Sequence, residues 1–467
     1  MEKQIFIFFS CFLLSLPLHS QEATTVNLES ENHKPFENKG LVLDFFEISG
    51  LALVANDDSL PFWMYRNTND RMRSQTNAMG LLRGSASYYF SETSYIEVGA
   101  GVVAADGFDD TTIHRDELYL SYQNSWLKAT LGSKTPFQKY QGLSIVGDNF
   151  LLSGNARALP GLIIEANNPI QLLKGLELDW AIAHYSLNDD RYVDDAMVHY
   201  KRLGLTYGIN EKNRFSAGIE HYAQWGGTSP EFGKLPNSFN DFLKVFIASN
   251  ANEDAPLGDQ LNGLGNHLGI YNFEYIHNSE SGYLKMYHQH PFEDGSGSAF
   301  KNFPDGIWGL YIGPNTKDYD SFVTGFLIEF VQTTNQSGAA NEGSSRDNYF
   351  NNSIYASGWT YHQTTIGIPL LVPYESRNSI RNNKSRGINL GIAMGHKRWS
   401  FKSKVSFVEN FGSFADPIDP KERAVYSYIN TKYSLDTYGS ISLLLGYDYS
   451  NQNEDNFGGG LQYSYKF

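Results

Sequence analysis

The sequence predicts an all-β protein, a transmembrane antiparallel outer-membrane barrel of about eighteen strands whose long extracellular loops partly close the mouth. Three observations carry this. Apolar and polar residues alternate along many short segments, the connections between them alternate short and long, and the last segment, Leu461-Gln-Tyr-Ser-Tyr-Lys-Phe467, is a period-two run ending on an aromatic.

The composition agrees. The 467 residues include 31 Phe, 30 Tyr, 7 Trp and 43 Gly, with a net charge of −15, yet the mean hydropathy is only −0.39. That average excludes a polytopic helical membrane protein, which needs repeated apolar runs of about 18 residues or more. The acidic balance argues against nucleic acid, and the aromatic content against disorder. A barrel explains the average, because every second strand residue faces a polar lumen while its neighbours face lipid.

Taken in order, residues 1–20 read as a signal peptide. Lys3 precedes the apolar run 5–16, Pro17 and a polar dip follow, and Gln21 is the expected first mature residue. The single cysteine, Cys11, lies inside that run, so disulfide and thiol chemistry are excluded from the mature chain. Residues 21–40 form a short polar segment expected in the periplasm, and 41–467 the barrel. Strand patterns stand out at 81–90, 95–104, 118–123, 126–132, 176–185, 215–225, 283–290, 322–330, 388–395, 399–409 and 441–450. Short turns such as 91–94, 123–125, 210–213, 277–281 and 396–398 alternate with longer loops such as 133–157, 225–265, 291–305 and 333–386. This arrangement puts both termini on the short-turn side. No segment of comparable length shows a helical period.

The longest loops hold distinctive segments: GDNFLLSGNARALPGLIIEANNP (147–169), HYAQWGG (221–227) followed by NHLGIYNFEY (266–275), and DNYFNNSIYASGWTYHQTTIGIPLL (347–371). With LPFWMYRNTND (60–70), and in this order, they make the chain resemble the capsule assembly protein Wzi family. The resemblance implies an eighteen-stranded monomeric barrel that is not an open pore, acting as a surface lectin that holds capsular polysaccharide after export. The family can carry a helical periplasmic segment before the barrel; residues 21–40 here show no helical periodicity, and a role for that segment does not carry over.

The residues also permit their own reading. Sugars are bound by aromatic faces stacked on C–H surfaces and by amides, carboxylates and guanidinium groups matched to hydroxyls. The candidates are Arg157, Gln224, Trp225, Trp308, Asn348, Tyr355, Trp359 and Tyr361. Gly226, Gly227 and Gly358 are expected to be backbone hinges. A basic cluster containing Arg377, Arg381 and Arg386 stands against the acidic background, suited either to an acidic polysaccharide or to lipopolysaccharide phosphates. Loop 333–386 exceeds a simple connection and is expected to fold into or over the barrel mouth.

Enzyme signatures are missing: there is no nucleophile elbow, zincin helix, P-loop or paired-cysteine site. His114, Arg115, Asp116 and Glu117 are consecutive, and alternation along a strand should send them to opposite faces. His288 and His290 are the one histidine pair expected to share a face. The sequence therefore reads as a non-enzymatic polysaccharide-binding protein of the bacterial outer membrane, monomeric and without metal or cofactor. Its partners would be capsular or exopolysaccharide, outer-membrane lipids and lipopolysaccharide, and the barrel-assembly machinery, with no nucleic acid. Two alternatives stay open: a substrate-selective channel for anionic solutes or oligosaccharides, and an outer-membrane enzyme with residues gathered across strands.

Overall fold

The computed structural model describes residues 40–467 except 110, 148, 253–254, 257–258, 261–262, 281, 315–321, 338–346 and 375–378. The expected signal peptide and nearly all of the polar segment 21–40 lie outside the described residues. The alternating segments pair into one closed antiparallel sheet. Its strands are β1 Gly40–Ala55, β2 Ala78–Tyr89, β3 Tyr95–Ala105, β4 Ile113–Gln123, β5 Leu127–Ser133 and the interrupted β6 at Gly161–Ala166 and Ile170–Leu173. They continue with β7 Leu176–Leu187, β8 Ala196–Gly208, β9 Asn213–Trp225, β10 Asn266–Asn278, β11 Tyr283–Phe292 and β12 Gly306–Gly313. The last six are β13 Val323–Gln332, β14 Ser385–His396, β15 Trp399–Gly412, β16 Pro417–Ser434, β17 Ser440–Ser450 and β18 Asn456–Lys466.

Closure is made by β1 against β18, in register from Glu47↔Lys466 to Ala55↔Gly458. Beyond the strand, Phe46 and Phe467 exchange both backbone hydrogen bonds, at 3.0 and 3.1 Å. A closed sheet leaves no unpaired edge, which the hydrocarbon interior of a bilayer requires. The period-two pattern then sorts side chains by face. Along β17, Ile441 and Leu443 are exposed on the outer wall, whereas Ser440, Ser442 and Leu444 are buried within.

One strand departs from simple alternation. Between β3 and β4 the register shifts, with Gly101 opposite Glu117 and Val102 opposite Arg115. The extra residue, Asp116, and its neighbour Glu117 are both buried. The expectation that these consecutive side chains diverge is thus corrected: a β-bulge gives two residues to one partner and turns both carboxylates from the solvent side.

Three external loops, 56–77, 134–160 and 333–384, pack inside the barrel rather than above it. In the first, helix α1 (Phe62–Tyr65) rests on β16 and β17, where Phe62 stacks on Tyr426 at 4.4 Å. Its seat is made by glycines: a Cβ on Gly446 would meet the Met64 sulfur at 2.7 Å, and one on Gly458 would meet Pro61 at 2.6 Å. The inward folding expected of 333–386 is seen for its described residues; that of the other two loops was not foreseen.

A second helix, α2 (Phe239–Ile247), corrects the expectation that no segment is helical. Ser238 caps it, accepting from Asp241 N while the Asp241 carboxylate accepts from the Ser238 backbone, a capping box. Tyr222 and Gln224 of β9 point into the barrel, so Ala223 and Trp225 between and beyond them point out. Val245 of α2 packs with Ala223, Trp225 and Leu264, which places α2 on the outer wall.

Candidate functional site

The interior of the barrel is held by buried polar groups that tie loop to wall. Glu329 of β13, fully buried, is the centre of one such set. Its carboxylate accepts from the Ser144 hydroxyl at 2.5 Å, the Tyr287 hydroxyl at 2.5 Å, the Ile145 backbone N–H at 2.9 Å and the Asn389 side-chain amide at 3.0 Å. Asn389 in turn accepts from Ser406, and Ser406 accepts from the Trp63 indole at 3.0 Å. Loops 56–77 and 134–160 are therefore fastened to β11, β13, β14 and β15 through one connected network. Nothing singled out Glu329 in the sequence, although a signal existed: it is the lone charge in the apolar run of β13.

Arg157, a candidate sugar contact, belongs to a second network. It pairs with Asp70 at 2.8 Å, and Asp70 also accepts from Thr364 at 3.0 Å and lies 3.2 Å from Arg73. Burial pushes the Asp70 carboxyl above its ordinary range, against the opposing pull of Arg73 and Arg157. One residue from each of the three inward loops thus meets at this carboxylate.

The remaining candidates fall into two groups. Trp359, Tyr355 and Tyr361 are buried in loop 333–384, and their polar atoms are satisfied by protein: Trp359 Nε1 donates to Leu151 O at 2.6 Å, Tyr355 to Gly226 O at 3.3 Å and Tyr361 to Asn188 at 2.7 Å. Gln224, also fully buried, donates to Gly358 O at 3.2 Å and accepts from Asn266 at 2.7 Å. Trp225 is buried beneath α2, its ring 5.8 Å from that of Phe242. In this conformation these five side chains hold loops to the wall and present no open ring face or amide. Gly226, Gly227 and Gly358 have φ of +65°, +87° and +70°, as hinge positions require.

Trp308 is on the outer wall of β12, partly exposed, stacked on His288 at 3.6 Å with the exposed Phe303 beside it. This is the aromatic girdle of a membrane interface. His288 and His290 do share a face, the outer one, with rings 5.9 Å apart and each stacked on an aromatic neighbour. A closer histidine pair, His221 and His267 at 3.0 Å, joins neighbouring strands, a relationship one chain segment cannot display.

The extracellular rim over β14 to β16 remains accessible. Asn348 and Arg381 are exposed there. Arg386, on the outer side of β14, pairs with Glu409, which also holds Lys421 at 2.6 Å and Arg423 at 3.5 Å. Lys384 covers the Phe414 ring at 4.2 Å, and Phe414 is 41% exposed. Three cations share one carboxylate, Arg386 and Lys421 also lie over the Phe411 ring at 5.8 and 5.4 Å, and the turn from β15 to β16 carries the half-exposed Phe414, a surface able to take an acidic, ring-bearing ligand. Arg377 lies outside the described residues.

The fold and this interior define the class: an outer-membrane β-barrel whose external loops pack in its lumen. The chain belongs to the capsule assembly protein Wzi family, which matches residues 49–370. A search of curated proteins finds no match. Among solved structures it is similar to Pseudomonas aeruginosa OccK10 (OpdN), at 11% identity and TM-score 0.46 over 92% of this chain and 99% of that one. It is also similar to Pseudomonas aeruginosa OpdQ, at 9% and 0.47 over 91% and 98%. A third, Acinetobacter baumannii OccAB4, aligns at 9% and 0.46 over 93% and 100%.

Proposed function

We propose that this protein is a non-enzymatic surface lectin of capsule or exopolysaccharide assembly, holding an exported acidic polysaccharide at the extracellular rim. Family membership supplies the setting. The observation that carries the reading is the interior packing: three loops are bonded across the lumen to strands on several sides, with Trp359, Tyr349 and Phe350 fully buried among them. A barrel filled in this way offers its outer rim, not a bore, as working surface, which favours attachment over the passage of solutes. Arg381, Arg386, Lys421, Arg423 and Phe414 are the groups placed to hold sugar carboxylates and ring faces.

The test is the division of polysaccharide between cells and medium. A deletion strain should shed material that the parent retains, and Arg381→Ser with Arg386→Ser should move retention toward the deletion. Full retention in the deletion strain would reject the lectin reading.

A further inference from the structure

Below the packed loops the lumen opens into a cavity of about 1560 Å³, roofed by residues such as Arg66, Gln141 and Leu143 and reaching the periplasmic turn at Glu92. Its charges are distributed unevenly. On the β1–β6 side each cation has a carboxylate: Arg83 with Glu47 at 2.8 Å, Lys134 with Glu97 at 2.9 Å and Lys128 with Glu165 at 3.8 Å. On the facing side Lys402 and Lys404 of β15 and Lys466 of β18 line the cavity, and among the described residues none forms an ion pair.

Their direct contacts are uncharged. Lys402 donates to Gln141 O at 2.8 Å, Lys404 lies over the Trp63 ring at 3.8 Å, and Lys466 lies over the Phe45 ring at 4.7 Å. Arg66 in the roof is stacked on Tyr65 at 5.0 Å, and its buried Nε has no hydrogen-bond partner. Lys404 also feels the charge of Glu329 in the roof network, and the carboxylates of Asp44, Glu92 and Glu117 lie on the β1–β6 side of the cavity. Among the described residues Lys402, Lys466 and Arg66 are left without an ion pair, and an anion placed among them lowers their mutual repulsion.

We infer that this periplasm-facing cavity is a binding site for a carboxylate-bearing oligosaccharide, distinct from the rim. The volume exceeds what a single small anion fills. Aromatic surface from Phe45 and Tyr428, and the amides of Asn430 and Gln462, line the same space and match sugar faces and hydroxyls. The inference does not rest on the rim as a lectin surface, and the rim could fail its retention test with this site intact.

The experiment titrates the purified full chain in detergent with tetragalacturonate, followed by calorimetry and by the fluorescence of Trp63, with Trp63→Phe as the assignment control. Binding should be saturable, weaken as salt rises from about 0.05 to about 0.5 M, and be absent for the neutral maltotetraose. Lys402→Gln with Lys466→Gln should weaken the binding that Trp63 reports by about tenfold or more, while Lys234→Gln, an exposed cation of the β9–β10 loop outside the cavity lining, leaves it unchanged. Heat-modifiable migration of each variant verifies that the barrel is folded. No saturable change in Trp63 fluorescence, loss in the Lys234 variant but not the cavity variant, or equal competition by inorganic phosphate would each overturn the assignment.

Discussion

The carboxylate of Glu329 accepts the Ser144 hydroxyl at 2.5 Å, joining the wall at β13 to the middle of loop 134–160. Because the same carboxylate serves Tyr287, Ile145 and Asn389, its removal orphans four donors in a dry interior. Each unsatisfied group costs about 1–3 kcal/mol. Glu329→Ala should therefore release loop 134–160 well before the barrel itself melts. Planar-bilayer recordings should show steady conductance in this variant and little in the parent, with Glu329→Gln intermediate. A parent that conducts as strongly as the variant would sink the sealed-lumen reading.

Loop 333–384 depends on Trp359 in a comparable way. The ring is fully buried, touches Tyr222 edge-on at 5.4 Å and spends its N–H on Leu151 O. Trp359→Ala should cost about 3–5 kcal/mol, as large-to-small changes in packed interiors do. The expected result is protease cleavage within 347–371 on intact cells, with the strands still protected. Resistance equal to the parent would mean that the loop is held elsewhere.

Strand number, the side of the termini and the inward fold of the longest loop were legible because alternation and connection length are local properties of the chain. The use of the loop aromatics was not. Trp225, Trp359 and Tyr361 have the composition of a sugar platform, yet whether such a ring meets solvent or protein depends on α2 and on loop 134–160, which are remote in sequence. Asp116 escaped because a bulge leaves no mark in residue type. Helix α2 did leave one, Ser238 three residues before Asp241 ahead of an apolar run, but its nine residues are hidden among strands of similar length.

Acid should tighten the junction of loops 293–305 and 333–384. Asp347 accepts from Glu293 N at 3.1 Å and from the Ser337 hydroxyl, and burial pushes its carboxyl up from 3.8 to about 6. Burial also raises Glu293 and Asp305. The folded protein then binds more protons than the unfolded chain between these values, so stability is fully present below about pH 4 and is lost as pH rises through about 6. For Asp347 alone the difference is about 3 kcal/mol. Thermal melts of the parent should fall from pH 4 to pH 7, and Asp347→Asn should flatten that slope. An unchanged slope in the variant would assign the dependence to other groups.

The outer helix makes a separate prediction about the membrane. Phe242, Val245 and Phe246 of α2 turn toward the barrel, where Phe242 meets His184 and His199 edge-on. Phe239, Leu243 and Ile247, spaced four apart on the adjoining face, are 73%, 46% and 70% exposed. An apolar stripe on a helix packed against the outer wall is suited to lipid contact, as for an amphipathic helix at a bilayer interface. A fluorophore attached at Phe239→Cys in liposomes should be quenched by spin labels on the acyl chains. The same probe at Glu231→Cys, an exposed polar position before the helix, should instead respond to aqueous iodide. Iodide quenching at position 239 would place α2 above the membrane and leave its stripe free for another protein.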